Sequence, residues 1–155
     1  MIADVAVRLA TSEDAAQIAA MARDLIERGL GWGWREGRVL KAMGDRETNI
    51  AVVGEPGTVA AFGIMSYSER HAHLLLLAVR PTHQRRGVGS AVLLWLERVA
   101  ALAGTERVLV EARLANEAAR CFYSEHGYHE RYIEPGMYRG FEAGIGLEKW
   151  LRSDA

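Results

Sequence analysis

One cysteine, Cys121, stands in the 155 residues, so an intrachain disulfide is impossible and a reducing compartment is expected. Lysine is nearly as scarce: Lys41 and Lys149 are the only two among 19 Lys and Arg residues. Against 20 acidic residues the formal net charge is -1, without a long basic run, which gives no support for nucleic-acid binding. No apolar run approaches the roughly 20 residues that span a bilayer. Met1-Ile-Ala-Asp-Val5 also lacks the basic start and long apolar stretch of a signal peptide. A soluble, cytoplasmic protein with no membrane partner is expected. Repeats and low-complexity segments are missing too, and half the residues are hydrophobic, which suits one globular domain over residues 1–155.

The apolar spacing predicts the following elements. Val5–Leu9 reads as a short strand. Thr11-Ser-Glu-Asp14 resembles a capping box and starts a helix with Ile18, Ala22, Leu25 and Ile26 on one face, stopping at Gly29. Residues 29–37 form a loop with four glycines and two tryptophans. A second short helix runs from Arg38 to about Gly44. Asn49–Val53 and Thr58–Ser66 make a hairpin around Gly54–Gly57. His71–Val79 is too apolar to be half exposed and reads as a central strand. Gly87–Ala103 is a long helix with Val88, Val92, Trp95, Leu96 and Val99 inward. Arg107–Arg113 is a strand, and Asn116 caps a helix ending near Gly127. Tyr128–Ile133 and about Gly144–Leu151 close a mixed sheet with helices on both faces.

Leu77-Ala-Val-Arg-Pro-Thr-His-Gln-Arg-Arg-Gly-Val-Gly-Ser90 carries the most chemistry. A strand ends, a basic turn follows, and two glycines open a helix. Glycine removes the Cβ atoms that hold a ligand off the main chain. The first N–H groups of a helix have no internal acceptor and carry partial positive charge, which suits a pyrophosphate.

Gln84-Arg-Arg-Gly87-Val-Gly89, preceded by Val79-Arg-Pro81 and followed by Asn116 and Ala118-Ala-Arg-Cys-Phe-Tyr123-Ser-Glu-His-Gly127-Tyr128, resembles the GNAT superfamily of acetyl-CoA-dependent N-acetyltransferases. The resemblance implies an α/β (α+β) fold: a mixed, mostly antiparallel sheet of six to seven strands with helices on both faces. It implies acetyl-CoA as donor and no metal. Glu111, Asn116 and Tyr123, with the closing segment Pro135-Gly-Met-Tyr-Arg-Gly140, are similar in spacing to ribosomal-protein alanine N-acetyltransferases, in which the matching glutamate is base and the tyrosine acid. Ala72-His73 before Leu77-Ala-Val79 is similar to arylalkylamine acetyltransferases, whose matching histidine belongs to the proton path.

The implied roles follow. An alkylamine, with a pKa of roughly 10, must lose a proton before it attacks. Glu111, half-buried in a strand, is one candidate base, and His73 is the competing one. Tyr123 is the candidate acid, two turns into its helix. His71, on the same strand face, is expected only to be solvated. The backbone of Leu77, Ala78 and Val79 lies along the pantetheine and thioester. Gln84, Arg85, Arg86, Gly87, Val88, Gly89 and Ser90 hold the pyrophosphate, although Arg85 and Arg86 also fit a merely solvated basic loop. Asn116 contacts the pantetheine arm, caps its helix, or does both. Tyr123 also borders the cofactor.

Trp32 and Trp34 either pack as a satellite core or wall the acceptor pocket. Cys121 reads as a small buried apolar residue rather than a nucleophile. The expected partner is an amine acceptor, a protein N-terminus or a small molecule, and the family's frequent homodimer stays open. A non-catalytic acyl-CoA-binding module and a transferase of longer acyl groups are the alternatives.

Overall fold

The computed structural model describes residues 5–84 and 86–151. Seven strands form one sheet in the order β1-β2-β3-β4-β5-β7-β6. They are β1 Arg8–Leu9, β2 Thr48–Val53, β3 Ala61–Tyr67, β4 His71–Val79, β5 Arg107–Arg113, β6 His129–Tyr138 and β7 Glu142–Trp150. Every neighbouring pair is antiparallel except β4 and β5. The helices are α1 Ala15–Met21, α2 Glu36–Met43, α3 Val88–Leu102 and α4 Glu117–Glu125. α3 and α4 bury Val92, Leu96 and Tyr123 against one face of the sheet. α1 and α2 bury Ile18 and Val39 against the other. The expected mixed sheet with helices on both faces is what the chain forms. Among the described residues no helix is long and apolar enough to cross a membrane.

β4 and β5 begin and end where the apolar pattern places them. Other elements differ. Only Arg8 and Leu9 of the first segment reach β2 as a strand. Thr58–Ala60 stays outside the hairpin because α1 holds it: Val59 N–H donates to Gln17 Oε1 at 2.6 Å. The first helix opens with a turn of 3₁₀ geometry at Ser12–Asp14 and closes with a π turn at Ala22–Ile26, where Glu27 N–H donates to Ala22 O. That wider turn shifts the helical phase. Ile18 and Ala22 are buried as expected, but Leu25 turns outward. On α3 the buried seam is Val88, Val92, Leu96 and Ala100 with Leu93, while Trp95 and Val99 are only half-buried. Gly63 of β3 sets that seam, since a Cβ there would lie 2.9 Å from both Val92 and Leu96 side chains. Cys121 is exposed, not buried, because α4 turns Tyr123 inward with Ala119 and Phe122 beside it.

A bulge in β4 has wider consequences. Met65 pairs with Leu74 and Ile64 with Leu76, which leaves Leu75 without a partner on β3. One extra residue swaps the faces of everything after it. Ala72 and Leu74 join the α3/α4 core, whereas Leu76 and Ala78 join the α1/α2 core.

Asp14 anchors the first helix. Its fully buried carboxylate accepts from Arg8 at 2.7 and 2.9 Å, from Thr11 N at 2.8 Å and from Gly57 N at 3.0 Å. The Arg8 guanidinium, followed by those backbone donors, holds its carboxyl well below the usual carboxylate range. A folded pKa below the unfolded one contributes stability above the ordinary carboxylate value, and that stability is lost as pH falls toward the folded value. Asp14→Asn is therefore expected to cost about 3 kcal/mol at neutral pH. Urea denaturation at pH 7 and pH 3 checks this: the loss should shrink at the lower pH.

Candidate active site

The parallel ladder between β4 and β5 stops at Leu74–Val110, although β4 continues to Val79 and β5 to Arg113. The strands part beyond that point and open a cleft of about 720 Å³ through the sheet. Leu74–Leu77, Val110–Arg113, Asn116, Tyr123 and Tyr138 are among its walls. Among the described residues, this edge of β4 has no partner strand past Leu74, so its peptide groups are available to an extended ligand.

The parting also unites the two faces of the sheet. Val108, Val110 and Ala112 of β5 point into the α3/α4 core, so Glu111 and Arg113 point to the other side. Tyr123 comes from α4, on the first side. A closed sheet would separate Glu111 from Tyr123, and here one cavity touches both.

His73 and Glu111, competing bases in the sequence, are in contact: His73 Nε2 stands 2.5 Å from Glu111 Oε1. Both side chains are about one-third exposed, at 34% and 29%. An ionised carboxylate only accepts, so beside one Nε2 is the donor of this contact. Tyr123 is buried, edge-on to Phe122 at 5.4 Å and to Tyr128 at 5.5 Å. Burial, then the proximity of Tyr138 and Glu111, raises its pKa, which keeps the phenol protonated. Tyr138 is likewise pushed up to about 12, by burial and then by Glu111.

Pro81–His83 makes a 3₁₀ turn, and Gly87 precedes α3 with a φ of 75°, a left-handed conformation that favours glycine. The N–H groups of Val88, Gly89 and Ser90 open α3 and so lack intrahelical acceptors. Arg86 and Gln84 are exposed, and Gln84 Nε2 donates to Val79 O at 3.2 Å. Gly89 has a packing reason beside any ligand: a Cβ there would lie 3.1 Å from Val79 Cγ2. Arg85 lies outside the described residues. Asn116 caps α4, its Oδ1 accepting from Ala119 N at 3.1 Å, while it lines the cleft. Of the three β4 residues expected along the donor, Leu77 lines the cleft. Ala78 is buried in the α1/α2 core, and Val79 packs toward α3 and α4.

The two tryptophans part company. Trp34 is buried in the α1/α2 core and also walls the cleft, with Arg38 stacked 3.9 Å above its ring. Trp32 packs outside the main cleft, donating to Ala19 O at 3.0 Å between Arg23 and Arg35. Glu27 secures their loop by accepting from Gly33 N and Trp34 N at 2.8 and 2.9 Å.

Sequence reasoning missed Tyr138 and Arg113. Arg113 donates to Ile26 O and Arg28 O at 2.9 and 2.6 Å and to Glu142 at 3.3 Å, tying the π turn and β7 to the cleft wall. The Pro135–Gly140 segment was the available signal for Tyr138. Arg113 gave none, because two of its acceptors, Ile26 O and Arg28 O, are more than 80 residues away in sequence.

A model of the acetyltransferase (GNAT) family matches residues 18–128. The chain is 30% identical over 112 residues to the [ribosomal protein bS18]-alanine N-acetyltransferase of Escherichia coli K12, covering 72% of this chain and 75% of that protein. In fold it is similar to the crystal structure of the ribosomal-protein-S18-alanine N-acetyltransferase from Escherichia coli, with a TM-score of 0.80, 23% identity, and 97% and 96% of the two chains covered. It is also similar in fold to YncA of Salmonella typhimurium, a putative acetyltransferase solved with acetyl-CoA, with a TM-score of 0.80, 18% identity, and 97% and 96% covered.

Proposed function

Since this chain belongs to the GNAT family of acetyltransferases and is an acyltransferase, we propose that it moves an acetyl group from acetyl-CoA to a primary amine by direct attack, with donor and acceptor bound together in one domain. The observation that carries this reading is one cavity lined by Glu111, which His73 contacts, from one face of the sheet and by Tyr123 from the other. In this reading the acceptor is a protein N-terminus or a small amine. The name of the bS18-alanine relative supports the first of these.

The residues suit such a donor. The first turn of α3, with Gly87, Val88, Gly89 and Ser90, and the basic turn with Gln84, Arg85 and Arg86 hold the pyrophosphate. The unpartnered edge of β4 from Leu77 to Val79 and the side chain of Asn116 hold the pantetheine arm. Bound acetyl-CoA supplies an acyl group already activated as a thioester.

The chain's own groups manage the protons. The amine must shed one before attack, and the His73–Glu111 pair takes it as a unit. Glu111 faces the cleft, and His73, bonded to it through Nε2, shares the proton the pair takes up. Tyr123, held protonated by its surroundings, donates its phenolic proton toward the leaving sulfur. Trp34, Tyr138 and Met137 wall the acceptor side of the cleft. Arg113 holds the π turn against that side.

A thiol-release assay with acetyl-CoA over a panel of amines and N-terminal peptides, including one starting with alanine, tests the reading. Acceptor-dependent release is expected. A protein that binds coenzyme A yet releases thiol with no acceptor would overturn it.

A further inference from the structure

His126 follows α4 and has no part in the proton path, yet it joins two elements of the donor site. Its Nδ1 lies 2.7 Å from Phe122 O and its Nε2 lies 2.8 Å from Ser90 Oγ. The ring also packs on Phe122, centroids 4.3 Å apart at 36°. A carbonyl oxygen only accepts, so Nδ1 carries the hydrogen and donates to Phe122 O. In the neutral ring Nε2 then accepts from the Ser90 hydroxyl. One imidazole thus bridges the end of α4 and the first turn of α3.

We propose that His126 is a positioning residue for the coenzyme A pyrophosphate: it fixes the first turn of α3 and the Ser90 side chain against α4. The inference rests on the reading that this turn receives the pyrophosphate. The physical need comes from the turn itself. Gly87-Val88-Gly89 carries a single side chain, and its two glycines leave the backbone freer than residues with a Cβ would. Converging N–H groups bind an anion well only if their geometry is set in advance, because ordering them on binding lowers affinity. The Val79 and Phe122 side chains close the space beside Gly89, where a Cβ would lie 3.1 and 3.6 Å from them, and the Ser90–His126 hydrogen bond sets the next residue. His126 touches no reacting atom in this arrangement.

A pure helix-end role would look different. The Nδ1 bond to Phe122 O alone would steady α4, and its loss would disturb Asn116 and Tyr123 as much as the phosphate turn. Calorimetric titration of the full chain with coenzyme A and, in parallel, with pantetheine, which has the same arm but no phosphate, separates the two roles. His126→Ala is expected to raise the Kd for coenzyme A about ten-fold, the size of one lost hydrogen bond to a preorganised site, while the pantetheine Kd stays within about two-fold. Ser90→Ala should act in the same direction, and the double variant should be no weaker than His126→Ala, because both remove one bridge. An unchanged coenzyme A affinity in His126→Ala, or an equal loss for pantetheine, would overturn the proposal. If the unaltered protein binds coenzyme A no better than pantetheine, the pyrophosphate reading falls and this inference falls with it. No acceptor enters the measurement, so failure to find the acceptor leaves the test intact.

Discussion

Tyr123→Phe is expected to lower acetyl-transfer turnover by about a hundred-fold or more while coenzyme A affinity stays unchanged. The substitution removes one hydroxyl and keeps the ring, with its edge contacts to Phe122 and Tyr128. Stability should therefore change by less than about 1 kcal/mol. The phenol suits proton donation because burial and neighbouring acidic groups disfavour its anion. Steady-state kinetics, with a parallel titration of coenzyme A, reads the two effects separately. Turnover that survives the substitution would remove Tyr123 as the acid, whatever the fate of the donor site.

The second large effect concerns the base. Glu111→Gln and His73→Ala are each expected to lower kcat/KM for the amine by about a hundred-fold, and the double variant to be no slower than either alone. The 2.5 Å contact is the reason: the proposed base is the pair, so removing either member disables it. Glutamine keeps the shape of Glu111 but loses the charge that orients and stabilises a protonated His73. A cycle of the three variants measured across pH decides the matter. If the two losses multiply in the double variant, the groups act independently. If one single variant is near unaltered activity, the other residue is the base by itself.

Much of this arrangement was legible in the residues. β4 and β5 have apolar patterns so dense that their bounds were readable to the residue. The Gly87 turn announced itself because a left-handed residue at a helix start favours glycine. Other features were illegible for identifiable reasons. The π turn at Ala22–Ile26 has no composition of its own, so a regular period put Leu25 on the wrong face. The one-residue bulge at Leu75 lies in an unbroken apolar run, where nothing marks which leucine lacks a partner. Cys121 looked buried by residue type, but its place on α4 turned it outward.

The sequence by itself determined the local chemistry: a basic turn with glycines before a helix, an asparagine cap, and a phenol two turns later. These depend on spacings within one or two adjacent elements, which the chain's covalent order sets. Only the tertiary structure decided that His73 and Glu111 form one pair and that Glu111 shares a cavity with Tyr123. Those relations depend on β4 lying parallel to β5 and then parting from it after Leu74 and Val110. A sheet keeps its two faces apart as long as its ladder is continuous, and here the ladder stops where Glu111 from one face and Tyr123 from the other line one cavity.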